Sequence, residues 1–181
     1  MSSGRRFALV GGIATSARGE PRFTRDIDLA VAVSNDQEAE TLLFQLNQRG
    51  YSVLATVEQD HVERLSTARL THPSGVICDL IFATCGVEEE LINEATPIEV
   101  FDANPIYTAS LEGLLAMKVL SVTPERPKDL QDIQALLVAA GGNSLERVDD
   151  LLELIQKRGY DRNQDLMAKW TELKSRFKVQ I

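Results

Sequence analysis

Asp26 and Asp28 stand two residues apart in the apolar run 26–33, DIDLAVAV. In a strand that spacing puts both carboxylates on one face, with Ile27, Leu29 and Val31 on the other. Two carboxylates held side by side repel, and need either a cation between them or a raised pKa. A third, Asp79, lies in VICDLIFA with apolar neighbours on both sides. An isolated buried carboxylate is costly, so Asp79 is paired, protonated or bound to metal. Brought beside Asp26 and Asp28, it completes an oxygen cage suited to Mg²⁺, a hard cation that takes carboxylates together with substrate phosphates. A nearby Arg or a backbone cap would satisfy Asp79 equally well, and the residues alone leave both readings open.

Upstream, an apolar run leads into Gly11-Gly12. Glycine lets the backbone approach a ligand closely, and a helix starting there presents free N–H groups to an anion. A triphosphate at Gly11 and Gly12, with Mg²⁺ at Asp26 and Asp28, is a coherent arrangement. Arg22 and Arg25 flank the acidic strand, where they either touch phosphates or pair with neighbouring acids. Farther on, Leu111, Leu114, Leu115 and Val122 form an apolar helical stripe. Lys118 falls about 20° from Leu111, near its middle. Asp129 precedes Ile133 by four residues and Leu136 by seven, on the inward side of the next helix. Lys118 and Asp129 are then either a buried ion pair or a phosphate-facing lysine oriented by an acid. Asp132 is placed nearer the stripe's edge, as a surface carboxylate within reach of Lys128.

The elements that must position these groups follow from periodicity and breakers. Strands are expected over 6–10, 26–33, 51–57, 67–70 and 76–83, with short ones near 98–101 and 106–108. A short helix is expected over 13–17, ending at Arg18-Gly19-Glu20-Pro21. A longer one follows Ser34-Asn35-Asp36, which offer capping oxygens, with Gln37 three positions after Ser34. His72-Pro73-Ser74-Gly75 reads as a turn, and 88–92 as an acidic helical turn. Helices are expected over 111–122, 127–140, 144–157 and 162–177. The fold class is therefore α+β, an α/β-type mixed sheet flanked by helices with a helical C-terminal part. The organisation is a core over 1–108 with a C-terminal helical region, 109–181, packed on it.

The chain has 181 residues and a formal net charge of −8. That balance argues against broad DNA binding, which depends on neutralising phosphates. Cys78 and Cys85 are too few for a disulfide framework and are expected to be plain buried residues. No apolar segment approaches the roughly 20 residues needed to cross a bilayer, and the first residues do not form a signal peptide. A cytoplasmic protein without a membrane role is expected. His61 and His72 have no ligand-spaced partners and are read as non-catalytic, and Trp170 as packing. Between Lys157 and Lys178 basic residues outnumber acids by seven to three. A solvated helix face explains that better than RNA contact.

Val10-Gly11-Gly12, the spacer 13–25 and Asp26-Ile27-Asp28-Leu29 together resemble the signature of the nucleotidyltransferase superfamily. Asp79 in its apolar strand matches that superfamily's third metal-site carboxylate. Met117-Lys118-Val119-Leu120, followed by Arg126-Pro127-Lys128-Asp129-Leu130 and Asp132-Ile133, resembles the downstream motifs of AbiEii-type toxins of type IV toxin–antitoxin systems. The resemblance, over about residues 6–140, implies the nucleotidyltransferase fold. It implies Gly11 and Gly12 on the triphosphate, Asp26 and Asp28 on the metal, and Asp79 as metal ligand or base. Lys118 would contact phosphate, with Asp129 as its supporting acid. Position 12 is Gly where many members have Ser, so a hydroxyl contact to phosphate would fall to Thr15 or Ser16.

The implied reaction is in-line attack of a hydroxyl on the α-phosphate of an NTP such as ATP, releasing pyrophosphate, with two Mg²⁺ ions stabilising charge on the attacking and leaving oxygens. The acceptor would be an RNA end such as tRNA, a protein or a small molecule, and a cognate antitoxin is an implied partner. The alternative is a nucleotidyltransferase-fold binding module with little activity, or an antitoxin-like enzyme, of which Ala17-Arg18-Gly19-Glu20 is reminiscent.

Overall fold

The computed structural model describes residues 7–59, 63–99, 104–141 and 145–177. Seven strands form one mixed sheet, with β1 (Phe7–Val10), β2 (Asp26–Val31), β3 (Ser52–Gln59), β4 (Arg64–Thr71), β5 (Ile77–Ile81), β6 (Thr96–Ile98) and β7 (Ile106–Thr108) in the order β3-β4-β5-β2-β1-β7-β6. β2 runs parallel to β5 and β1 parallel to β7, while the other neighbours are antiparallel.

Alternation along β2 and β5 divides the sheet into two faces. Val31, Ala68, Leu70, Cys78 and Leu80 bury against helix α2 (Asp36–Gln48) through Ala39. The carboxylates take the opposite face. The larger core joins β1 and α1 (Gly11–Arg18) to α3 (Glu88–Asn93), α4 (Leu111–Ser121), α5 (Pro127–Ala140), α6 (Glu146–Lys157) and α7 (Leu166–Arg176). Leu115, Val119, Ile133, Leu136, Leu151, Ile155 and Trp170 are fully buried there, each contributing on the order of 2 kcal/mol of apolar burial. Trp170 is packing, as its helical setting implied.

The expected elements are all present among the described residues, with ends moved by a few positions. The short strand expected near 98–101 runs instead over Thr96–Ile98, and residues 100–101 lie outside the described ones. The N-cap of α2 is Asn35, one of the three residues expected to offer a capping oxygen, and its side chain accepts from the Glu38 N–H at 3.0 Å. The Glu38 carboxylate accepts from the Ser34 N–H at 2.7 Å, so the residue three after the cap is Glu38 rather than Gln37, and it reaches back to the residue before the cap. α5 begins with Pro127 and ends at Gly141 in the left-handed region, the residue types each end favours. Cys78 and Cys85 are buried and free. His72 stacks on Tyr51 and hydrogen-bonds Ser74 within the turn, whereas His61 lies outside the described residues. Among the described residues, no helix is long and apolar enough to cross a membrane.

Candidate active site

The β2–β5 register sets Asp28 directly opposite Asp79, with Asp26 two residues along the same face. In parallel strands opposite residues project to the same side, so period-2 alternation and this register together gather the three carboxylates. β1 passes straight into α1 with no intervening loop, because Gly11 adopts φ +64° and turns the chain there. A β-carbon on Gly11 would lie 2.0 Å from Asp28 Oδ2. The position therefore demands glycine twice, for its backbone angle and for the closeness of the acid. The Gly12 N–H, free at the start of α1, donates to Asp28 Oδ2 at 3.4 Å.

Burial, reinforced by the neighbouring Asp79, pushes the Asp28 carboxyl up to about 6. Two acids so close cannot both ionise at ordinary cost, and the site is short of positive charge at Asp28.

Lys118 faces this cluster across a cavity of about 550 Å³, an ordinary size for a small-molecule site. Its ammonium is 2.7 Å from Asp129 Oδ1 and 2.7 Å from Asp132 Oδ2. Ser121 donates to the other oxygen of Asp129 at 3.0 Å, where Arg126 also approaches to 3.3 Å. The ion pair between Lys118 and Asp129 is present, and the lysine also lines the open cavity.

Asp132 is not the surface carboxylate expected. Its side chain is 2% exposed and accepts from Arg22 Nε at 2.6 Å and Nη2 at 2.9 Å, as well as pairing with Lys118. Burial opposes its charge, but the hydrogen bonds from Arg22 and Lys118 prevail and hold it below the usual carboxylate value. The first turn of α5 faces the loop before β2 rather than solvent, so a position three after Asp129 is covered. Arg22 thereby takes the ion-pair role left open for it.

The remaining candidates divide. Gly11 and Gly12 line the cavity. The Thr15 and Ser16 hydroxyls turn back onto the carbonyls of Gly11 and Gly12, at 2.8 and 2.9 Å, and neither residue lines the cavity. The hydroxyl that a β-carbon at position 12 would meet is that of Thr24, whose Oγ1 would lie 2.9 Å from it. It occupies the room a serine would need. Arg25 lies over the Phe23 ring, its guanidinium carbon 5.6 Å from the centroid, and is not brought to the carboxylates. Arg18 pins the end of α1 to the carbonyls of Thr108 and Ala109, both at 3.0 Å, a structural duty for the 17–20 segment.

One member of the site has no place in the sequence reading. Arg69, opposite Asp79 on β4, donates to both oxygens of Asp79 at 2.8 and 2.7 Å and to Asp26 at 3.2 Å. Its bonds to Asp79 raise its own pKa still further. The hairpin carried part of the signal: the connection between Thr71 and Ile77 centres the pairing of β4 and β5 on Ser74, which sets residue 69 against 79, whereas a turn confined to 72–75 would set it against 78.

The donor set, oxygen atoms alone from three carboxylates, fits a hard divalent cation in its chemistry. As they stand, the described side chains gather no cluster of three ready to chelate one, and Arg69 is bonded to two of the acids.

A mixed sheet thus presents three acids beside a glycine-initiated helix, with a half-buried lysine lining the same cavity. The chain belongs to the AbiEii family: the family model described as nucleotidyl transferase AbiEii toxin, type IV toxin–antitoxin system, matches residues 2–178. The protein is a nucleotidyltransferase. A comparison with curated proteins finds no match. Among solved structures, the lincosamide antibiotic adenylyltransferase LnuA, with lincomycin bound, is similar at 19% identity and a TM-score of 0.42, over 72% of this chain and 84% of that one.

Proposed function

We propose that the chain transfers a nucleoside monophosphate from an NTP to a hydroxyl at an RNA end, as the toxin of a toxin–antitoxin pair in the cytoplasm. The observation that carries the reading is the register placing Asp28 opposite Asp79 with Asp26 beside them, facing Lys118 across one cavity. Asp26, Asp28 and Asp79 would hold Mg²⁺, which supplies charge neutralisation of the triphosphate and acidifies the attacking hydroxyl. Gly11 and Gly12 bring backbone within reach of phosphate, with the Thr24 hydroxyl beside them. Lys118, anchored by Asp129 and Asp132, holds its ammonium against the phosphates without a search of rotamers. Asp79 would assist as metal ligand or as the base that takes the acceptor's proton.

Arg126 and Lys128 stand exposed at the cavity mouth and favour a polyanionic acceptor such as a tRNA end. The toxin role and the cognate antitoxin rest on the family alone. The test is incubation with each labelled NTP, Mg²⁺, tRNA and cell lysate. Label on tRNA with wild type, absent with Asp26→Ala, supports the proposal. Equal labelling by wild type and variant sinks it, and label on protein alone refutes the RNA acceptor.

A further inference from the structure

Arg69 reaches into the acidic cluster from the exposed side of the sheet, its side chain 45% accessible. Its three hydrogen bonds engage Asp79 through both oxygens and Asp26 through one. These belong to the strong, charge-assisted, forked class. The two acids so engaged are those on either side of Asp28, along its own strand and across to β5. A guanidinium and a divalent ion cannot share them, because two positive groups a few ångströms apart repel and compete for the same lone pairs. The side chain has a flexible stem and open solvent beside it, so it can swing out without disturbing β4, whose backbone is held by the ladders to β3 and β5.

We propose that Arg69 is a displaceable counter-ion: it neutralises Asp26 and Asp79 in the free protein, and a divalent cation enters only by displacing it. This rests on the reading that Asp26, Asp28 and Asp79 hold such a cation. Arg69 then tunes cation affinity directly. It keeps the acid cluster compact when no cation is bound, and weakens cation binding by the cost of its own departure.

The test is Mn²⁺ binding to the full chain without nucleotide, read by the loss of the free-ion electron paramagnetic resonance signal. Melting temperature is recorded in parallel, in chelator and in Mn²⁺. Arg69→Ala, and Arg69→Gln as a variant that keeps hydrogen bonding but not charge, should each bind Mn²⁺ on the order of ten-fold tighter than wild type, the factor about 1.4 kcal/mol represents. Both should melt lower in chelator and gain more from Mn²⁺ than wild type does. If wild type binds Mn²⁺, Asp28→Asn abolishes that binding, and neither Arg69 variant binds more tightly, the proposal is overturned while the carboxylate site stands. If neither wild type nor either Arg69 variant binds Mn²⁺, the carboxylate reading falls and takes the proposal with it.

Discussion

Replacing Asp28 with asparagine should make the protein more stable while removing one ligand of the proposed cation site. The carboxyl titrates at about 6 in the fold against an ordinary 3.8. At about 1.4 kcal/mol per unit, its ionised form is disfavoured in the folded state by about 3 kcal/mol. An amide of the same shape carries no such penalty and still offers an oxygen to the Gly12 N–H. Allowing for relaxation, about 2 kcal/mol should survive, a rise of roughly 4–8 °C in melting temperature for a chain of this size.

The sign with pH is determined. Between about 4 and 6 the folded state holds a proton that the unfolded chain has lost, so wild-type stability falls as pH rises through that window. The advantage of Asp28→Asn should therefore be small at pH 4, grow through pH 6 and level off by pH 7. Urea unfolding in chelator at pH 4, 5, 6 and 7 measures it. An asparagine variant that is less stable at pH 7, or one whose advantage does not change with pH, would refute the account of a buried, acid-crowded carboxylate.

Other perturbations bear on the lysine and the turn. Asp132→Ala leaves Lys118 and Arg22 without their buried partner and should cost about 3 kcal/mol of stability, measured by chemical unfolding. Asp132→Asn should fold better but raise KM for NTP more than it lowers kcat, since Lys118 loses one of two anchors. Gly11→Ala forces a β-carbon into Asp28 at a left-handed backbone position and should destabilise by about 2 kcal/mol or more, with cation affinity falling alongside in the Mn²⁺ titration. Lys118→Met should abolish NTP binding by calorimetry while leaving Mn²⁺ binding within a few-fold of wild type.

Much of the site is legible in sequence because period and register are local properties. Asp26 and Asp28 declare their shared face by spacing, and Lys118 and Asp129 declare an inward direction by their place on apolar stripes. What spacing cannot convey is the neighbour each face meets. Asp132 was assigned to the edge of its helix, although Asp129, Asp132, Ile133 and Leu136 share one side. The cover comes from Arg22, 110 positions away. Thr15 and Ser16 have the right chemistry, but a helical hydroxyl readily bonds the carbonyl four residues back, and both do so. Arg69 was harder to place, because the register carried outward from the 72–75 turn sets residue 69 against 78, and the one extra residue in the connection brings it to 79.

The span between Arg22 and Asp132 has a consequence for synthesis on the ribosome. The acids of β2 and β5 come from the first 79 residues, whereas the lysine that faces them and the carboxylates that hold it come from 118–132. A growing chain can pair its acidic strands long before it has a nucleotide site. Until α5 has emerged and docked against the loop carrying Arg22, Lys118 has no anchors and the cavity no second wall. On the proposed reading of the site, catalytic competence would switch on late and as a unit, only once the lysine and its anchors have joined the acidic strands.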